Sequence, residues 1–148
     1  MEFDKDVGRL QRLMAASIAG INRRQAILET LSINSGNRII DVGCGAVQLL
    51  GHIAKAVGEH GEVIGLDPSA DQLAQAKSSC GDFPNITFFE KSADETGLPD
   101  GSCDAATSTQ ALEYIPDVDA ALAEITRILK PGGSLVNVSI LWDHFRFY

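Results

Sequence analysis

The sequence predicts an α/β fold with a doubly wound, mainly parallel sheet. Short apolar runs typical of buried strands alternate along the chain with stretches whose apolar residues recur at helical spacing. Parallel strands require such crossovers, because a tight turn joins only antiparallel neighbours. The first strand also ends in a turn with two alternating glycines, Asp41-Val42-Gly43-Cys44-Gly45. Such a turn at the end of a parallel strand is typical of a small-molecule site.

Size and composition indicate a single cytoplasmic domain. A chain of 148 residues can bury a core of its own, and its net charge of −8 argues against binding to nucleic acid or to an anionic membrane. No signal peptide or membrane span is expected from the charged N-terminus. The three cysteines lack metal-ligand or disulfide spacing, so we expect reduced thiols and no metal site. Cys44 is interpreted as a packing residue rather than a nucleophile.

Residues 1–35 are predicted to form an N-terminal cap of two helices, and residues 36–148 are predicted to form the core domain. A second short helix is predicted for Arg23–Leu31. The first helix is predicted from apolar residues at helical spacing, namely Leu10, Leu13, Met14, Ile18 and Ile21.

The core alternates strands and helices as the fold class requires. Its predicted elements are strand Arg38–Val42, helix Leu49–Val57, strand Glu62–Leu66, helix Asp71–Ser78, strand Ile86–Glu90, strand Asp104–Thr109, helix Val118–Leu129 and strand Ser134–Leu141. Ser69 and Gln72 predict a capping box, and Pro131-Gly132-Gly133 predicts the end of the last helix. The five strands are expected to be mostly buried, with Val, Ile and Leu on both faces.

Ligands of such sheets bind beyond the carboxyl ends of the strands. Gly43 and Gly45 would let a ligand approach bare backbone at the start of a helix, where N–H groups are free. Asp67 follows the second strand, where a carboxylate can accept hydrogen bonds from ribose hydroxyls; a plain acidic residue at a helix start is the alternative. Asp94 follows the third strand and could accept from an exocyclic amine, whereas Glu95 is interpreted as a charged surface residue.

Together these segments resemble the class I S-adenosylmethionine-dependent methyltransferases, in the small-molecule group that includes ubiquinone and menaquinone methylating enzymes. The similarity runs from about residue 36 to residue 140 and keeps the family's order and spacing. Its last segment is distinctive, because a nucleotide-binding motif has no use for it. The matching segments are Asp41–Gly45, Gly65–Ser69, Ser92–Asp94 with Leu98-Pro99, Ala111–Asp117 and Ile128–Gly133.

The resemblance implies strand order 3-2-1-4-5 and a role for each matched residue near the cofactor. Gly43 and Gly45 would approach the methionyl part of S-adenosylmethionine, and Asp41 would orient that turn or the ligand's amino group. Asp67 would hold the ribose hydroxyls. The cofactor's sulfonium is a cation, so acidic residues around the site suit it better than they suit a phosphate.

The same resemblance implies contacts with the adenine and near the reactive end. Pro68 would pack on the adenine face, Asp94 would contact its amino group, and Ala93 would offer neighbouring backbone. Gln110, the first residue after the fourth strand, would lie near the methionine end.

Methyl transfer is a direct displacement at carbon that leaves S-adenosylhomocysteine, so the enzyme chiefly aligns the acceptor with the methyl group. Alignment of this kind can supply about 7–11 kcal/mol. A general base is needed only when the acceptor has a proton to lose. Glu113, Tyr114 and His144 are candidates for that base, and no catalytic residue is assigned.

Two departures from the family pattern bear on function. Val47 replaces a frequent third glycine, so it either points away from the site or narrows it. The family's sheet has two further strands after the fifth, and the chain has only the aromatic-rich segment Leu141–Tyr148 there. The edge of the fifth strand would need cover, so we expect either a second copy of the chain in a homodimer or a missing C-terminal segment to provide it.

Three functions are compatible with these patterns. The first is a methyltransferase acting on a small-molecule acceptor that the sequence does not identify. The second is a cofactor-binding module, or pseudoenzyme, without methyl transfer. The third is a nicotinamide-dependent dehydrogenase, which is disfavoured because Gln48 stands where its fingerprint needs glycine.

Overall fold

The computed structural model describes residues 9, 13, 17–45 and 49–139. Within them, five parallel strands form one sheet in the order β3-β2-β1-β4-β5. The elements are α1 (Ile18–Leu31), β1 (Arg38–Val42), α2 (Leu49–Val57), β2 (Glu62–Leu66), α3 (Ala70–Cys80), β3 (Ile86–Phe89), β4 (Cys103–Thr109), a 3₁₀ turn (Leu112–Tyr114), α4 (Val118–Ile128) and β5 (Leu129–Val138). The fold class and the strand order expected from the sequence are confirmed.

The N-terminal helices differ from the expectation. α1 runs without a break through Ile18–Leu31, so the predicted boundary between Ile21 and Arg23 is wrong. The helix begins after Ser17, whose hydroxyl accepts a hydrogen bond from the Gly20 N–H at 3.1 Å. Most of the first predicted helix lies outside the described residues. Of the apolar residues that predicted the first helix, Ile18 and Ile21 are 78% and 51% exposed, whereas Ile27 and Leu31 in the second half of α1 are buried.

Two apolar clusters form the core, one on each face of the sheet. The first joins α1, α2 and α3 to the sheet through residues such as Ile27, Leu50 and Leu73. The second joins α4 to the opposite face through Ile125 and Ile128. Side chains of a strand alternate between the two faces, so Ile39 belongs to the first cluster and Ile40 to the second. The sheet is therefore covered by helices on both sides.

Burial is greatest in the three central strands. β1, β2 and most of β4 are buried, whereas β3 and β5 are half-buried with exposed positions. The expectation that the five strands are mostly buried is confirmed for the three central strands, whereas the two outer strands are only half-buried. These strands lie at the edges of the sheet, where fewer neighbouring elements cover them.

A β-bulge opens the last strand. α4 ends at Ile128, and Leu129 already pairs with Cys103. The next paired residues are Ala105 and Ser134, so the segment Lys130–Gly133 bulges out of the ladder. Pro131-Gly132-Gly133 lies just beyond the helix end, as predicted, and also belongs to this bulge. Gly132 has a φ of +82°, a conformation that glycine adopts readily.

The register brings the carboxyl ends of the inner strands to one edge. Val42 pairs with Leu66, and Leu66 pairs with Phe89. Thr107 on β4 pairs with Asp41, two residues before β4 ends. The loops after β1, β2, β3 and β4 consequently leave the sheet on the same side, which we call the carboxyl edge.

Candidate functional site

The glycine turn after β1 folds over the end of β2. The Gly43 and Cys44 N–H groups both donate to the Leu66 carbonyl, at 2.7 and 3.0 Å. Gly43 and Gly45 have φ angles of +69° and +50°, which residues with a side chain rarely adopt. Both glycines are therefore needed for the shape of the turn itself.

Gly43 has a second reason to lack a side chain. A Cβ placed on Gly43 would lie 2.4 Å from the Cβ of Ala111, in the loop after β4. Ala111 occupies the space that a side chain on Gly43 would need, so this glycine also lets the two loops approach closely. The approach of a ligand to the Gly43 backbone stays a prediction. Gly45 is more open, since its nearest neighbour would be the Gln72 side-chain oxygen at 3.5 Å.

Asp67 is held in a fixed orientation between this turn and α3. Its Oδ2 accepts a hydrogen bond from the Gly45 N–H at 3.0 Å, and its Oδ1 accepts one from the Ser69 N–H at 2.9 Å. Burial raises the pKa of Asp67, and these two hydrogen bonds partly oppose that rise. Each carboxylate oxygen can accept a further hydrogen bond. The side chain is thus pre-positioned to receive two donors from a ligand.

Asp41, the second-to-last residue of β1, is more deeply buried than Asp67. It is 2% exposed, and its Oδ1 has no hydrogen-bond partner in the part of the chain that the structure describes. Burial, together with the nearby Asp67 carboxylate, raises the pKa of Asp41 to about 8. The sequence counts both residues as negative charges, whereas burial and the neighbouring carboxylate favour the neutral form of Asp41.

The residues expected to contact an adenine lie in the loops after β2 and β3. Ala93 is buried in the second core cluster, whereas Asp94 and Pro68 are exposed. No hydrogen bond or ion pair of the described residues joins Asp94 to Asp67 or to the glycine turn, although the register places their loops on the same edge.

A polar network fixes the loop after β3 against α4. Glu124 accepts hydrogen bonds from the Thr96 N–H at 3.1 Å and from the Thr96 hydroxyl at 2.7 Å. Arg127 pairs with Glu124 at 2.7 Å and donates to the Leu98 carbonyl at 2.7 Å. These bonds lower the pKa of Glu124 to about 2. The loop that carries Ala93 and Asp94 is therefore anchored at its far end.

Gln110 marks the point where β4 meets the site. Its φ is +52°, unusual for a residue other than glycine, and its N–H donates to the Val138 carbonyl at 2.6 Å. Its Nε2 and the Thr109 hydroxyl are buried without a hydrogen-bond partner among the described residues. Strained backbone and unsatisfied polar atoms of this kind are concentrated at functional sites.

The candidates for a general base are only partly described. Glu113 and Tyr114 are exposed and lie on the 3₁₀ turn after β4. His144, Val47 and the aromatic segment Leu141–Tyr148 lie outside the described residues. Cys44 is buried, and burial raises the pKa of its thiol well above the usual range. A Cβ on Gly65 would lie 3.2 Å from its sulfur, which supports the interpretation of Cys44 as a packing residue.

Sequence reasoning missed Gln72 as a site residue. The Ser69 hydroxyl accepts from the Gln72 N–H at 3.3 Å, so half of the predicted capping box forms. The other half does not form, because the Gln72 oxygen has no hydrogen-bond partner in the described segments and lies beside Gly45. The signal was its position in the first turn of the helix that follows Asp67, since that turn faces the glycine turn.

Neither a membrane-spanning helix nor a metal-binding cluster is found among the described residues. None of their helices has both the length and the apolar character needed to span a bilayer. No group of three or more His, Cys, Asp or Glu side chains among them is arranged to hold a metal ion.

Comparison with known protein families shows which family the chain belongs to. Residues 40–137 match the family model described as a methyltransferase domain, which covers more than half of the chain. This chain belongs to the methyltransferase domain family. The resemblance to class I S-adenosylmethionine-dependent methyltransferases is thereby confirmed, and the nicotinamide-dependent alternative finds no support.

Individual relatives agree with this assignment. The chain is 35% identical to the demethylmenaquinone methyltransferase of Staphylococcus saprophyticus over 113 residues, covering 76% of this chain and 48% of that protein. It is 32% identical to an arsenic(III) S-adenosylmethionine methyltransferase from Chlamydomonas reinhardtii, with a TM-score of 0.62 and coverage of 68% and 38%.

A structure from Aquifex aeolicus, a SAM dependent methyltransferase, has a TM-score of 0.76 at 23% identity and shows the shared fold. The alignment covers 88% of this chain and 69% of that one. The chain spans about half the length of the demethylmenaquinone methyltransferases it matches.

Proposed function

We propose that this methyltransferase domain binds S-adenosylmethionine at its carboxyl edge and transfers the methyl group to a small-molecule acceptor. The observation that carries the proposal is Asp67. Its carboxylate is held by the N–H groups of Gly45 and Ser69 and can still accept two more hydrogen bonds. A ribose diol supplies two hydroxyl donors side by side, which is the ligand geometry that such a carboxylate fits.

The unsatisfied polar atoms of the edge support a polar ligand. Asp41 Oδ1, Gln72 Oε1 and Gln110 Nε2 are buried without partners among the described residues. Leaving such atoms unpaired costs about 1–3 kcal/mol each, which a ligand or water can recover. Acceptors on Asp41 and Gln72 fit a ligand that carries an ammonium, a sulfonium and hydroxyl groups.

The residues divide the work of methyl transfer by position. S-adenosylmethionine supplies an electrophilic methyl carbon when bound. Asp67 orients its ribose, Pro68 and Asp94 are proposed to bound its adenine, and the glycine turn is proposed to meet its methionyl part. Gln110 leads into the loop after β4, where Glu113 and Tyr114 are placed to meet an acceptor.

The acceptor class rests on the relatives. One is named a demethylmenaquinone methyltransferase and another an arsenic(III) methyltransferase. Both names favour a small acceptor over a macromolecule, and the family match favours methyl transfer over cofactor binding alone. The negative net charge likewise disfavours nucleic acid as a substrate.

Calorimetric titration tests cofactor binding. We expect S-adenosylmethionine to bind and NAD not to bind. Asp67→Ala should weaken the binding by at least about tenfold, which corresponds to loss of about 1.4 kcal/mol. Asp82→Ala, at an exposed acidic position in the turn after α3, is the matched control. Unchanged affinity in Asp67→Ala would contradict the ribose assignment.

Transfer requires a separate experiment. The chain is incubated with methyl-labelled cofactor and a metabolite extract, and small molecules that gain label are identified by mass spectrometry. Labelled product, absent with the Asp67→Ala variant, supports a methyltransferase. Cofactor binding without any labelled product would favour a binding module.

The free edge of β5 bears on partners. In the described residues β5 pairs only with β4, so its other edge presents unpaired backbone groups. We propose that a second copy of the chain or a further C-terminal segment covers this edge, because exposed strand edges invite pairing. We also expect the protein to act in the cytoplasm, where its three described cysteines, all free and buried, would stay reduced.

A further inference from the structure

We propose that S-adenosylmethionine, on entering this site, displaces a proton from Asp41, so that cofactor binding is coupled to proton release. The inference rests on the proposed function and adds to it how the site handles charge. The proton leaves the Asp41 carboxyl group for the solvent, and the positive charge of the ligand takes its place beside the carboxylate.

No protein group of the described residues satisfies the buried Oδ1 of Asp41. It lies on the face of the sheet that holds the first core cluster, since its neighbours Ile40 and Val42 belong to the second. On β4, Thr107 pairs with it in register and is also fully buried with an unpartnered hydroxyl among the described residues. On β2, the paired residue is Gly65, which contributes no side chain.

The charged surroundings of Asp41 are one-sided. Asp67, at the end of β2, is negative when ionised and lies close enough to disfavour a second negative charge. The Cys44 thiol in the glycine turn stays protonated because it is buried. The helices packed on this face contribute apolar side chains, among them Ile27, Leu50 and Ile53. No cation of the described residues acts on Asp41, so burial and the Asp67 carboxylate favour its protonated form.

A cationic ligand reverses this balance. Without a neighbouring positive charge, burial and the Asp67 carboxylate raise the pKa of Asp41 to about 8, which favours its protonated form at neutral pH. A positive charge within about 4–6 Å favours the ionised form and lowers the pKa again. S-adenosylmethionine carries a sulfonium and an ammonium, and either one can serve as this charge.

Proton release is measured directly by calorimetry. The binding enthalpy of S-adenosylmethionine is recorded at about pH 6.5, where both Asp41 and the ligand's amino group are protonated. Buffers with small and large ionisation enthalpies, such as phosphate and imidazole, are compared. The slope of the observed enthalpy against the buffer's ionisation enthalpy gives the number of protons released.

We expect close to one proton released by the parent protein and by Asp82→Asn, the exposed control. Asp41→Asn cannot release it, so its slope should be near zero. A zero slope in the parent, or an unchanged slope in Asp41→Asn, would overturn the inference while leaving cofactor binding intact. Absence of any binding by the parent would instead overturn the proposed function.

A second measurement covers the case in which Asp41→Asn does not fold. In the parent, the affinity for S-adenosylmethionine should rise between about pH 6 and about pH 7, where the ligand's amino group stays protonated, by at most tenfold per pH unit for one coupled proton. An affinity that stays constant over that range would contradict proton coupling.

Discussion

At the scale of single residues, Gly43 and Ala111 show how closely the two halves of the site approach each other. The glycine turn and the loop after β4 are separated by 68 positions in sequence, from 43 to 111, yet a single methyl group on Gly43 would not fit. Because the conflict is between a Cβ and another Cβ, neither side chain can rotate away.

We therefore expect Gly43→Ala to lower the free energy of unfolding by more than about 2 kcal/mol, from the positive φ and the collision together. Gly101→Ala is the control, because Gly101 has a φ of +58° but no atom within 4 Å of an added Cβ. It should lose only about 1 kcal/mol. Chemical denaturation measures both values.

The double variant Gly43→Ala with Ala111→Gly separates the two contributions. It should recover stability relative to Gly43→Ala, because the colliding methyl group of Ala111 is gone. Equal stability of the single and double variants would show that the φ of Gly43, rather than the contact, sets the cost.

The raised pKa of Asp41 predicts how the stability of the folded protein depends on pH. Its pKa is higher in the folded state than the ordinary 3.8 of an unfolded chain, so the folded state holds more protons between about pH 4 and about pH 8. Its contribution to stability is complete below pH 4 and is lost as the pH rises toward 8.

Asp41→Asn removes this dependence. We expect the variant to gain stability relative to the parent as the pH rises, by up to about 1.4 kcal/mol per pH unit. Denaturation curves of both proteins at several pH values give the difference, and the exposed Asp82→Asn change should leave it flat. A constant difference between Asp41→Asn and the parent would show that Asp41 is not protonated in the fold.

At the scale of elements, the loop after β3 owes its position to α4. Thr96, Glu124 and Arg127 join them through short polar contacts, and Arg127 also pairs with Asp100. Since the same loop carries Ala93 and Asp94, its anchor acts on the proposed adenine site at a distance.

We expect Glu124→Ala to weaken S-adenosylmethionine binding by several-fold, because the loop loses the acceptor of two Thr96 hydrogen bonds. Thr126→Ala, on an exposed position of the same helix, should leave the affinity unchanged. Titration calorimetry measures both. An unaltered affinity in Glu124→Ala, with hydrogen exchange showing a loosened loop, would remove Asp94 from the proposed site.

The strands and helices differ in how well the sequence predicts them. The bounds of β1, α2 and β2 agree with the prediction, because each is a short apolar run between clear turn signals. The position of Asp67 directly after β2 was also predicted from the strand pattern alone, and its role toward a ribose stays a prediction. α1 was misjudged, because an apolar period shows that one face exists but not which element covers it.

Other features of the site depend on tertiary contacts that the sequence does not display. The contact between Gly43 and Ala111 joins two distant loops, and the protonation of Asp41 follows from burial between strands. Gln72 looked like half of a capping box, and only the packing of α3 against the glycine turn makes its oxygen part of the site.

At the scale of the whole molecule, the two edges of the sheet are built differently. At the amino edge Asp104 accepts from the Arg38 N–H at 2.7 Å and pairs with Lys130 at 2.9 Å, which ties the starts of β1, β4 and β5 together. At the carboxyl edge, several buried polar atoms lack such partners in the described chain.

Hydrogen exchange should distinguish the carboxyl edge from the amino edge when S-adenosylmethionine is added. We expect S-adenosylmethionine to protect amides in the loops at 43–45, 67–69, 92–97 and 109–111, because ligand binding suppresses local opening. Amides near Arg38 and Lys130 at the amino edge serve as internal controls and should change little. Protection confined to the amino edge would place the ligand elsewhere.

The polarity of the sheet also has a consequence for protein engineering. A search for thermostabilising substitutions would select changes at Asp41, Gln72, Thr107 and Thr109, since an apolar side chain there removes an unpaired polar atom. At Asp41 and Gln72, the same changes would remove groups that are proposed to bind the cofactor. Stability gained at the carboxyl edge would thus trade against activity, whereas the amino edge can be reinforced without that conflict.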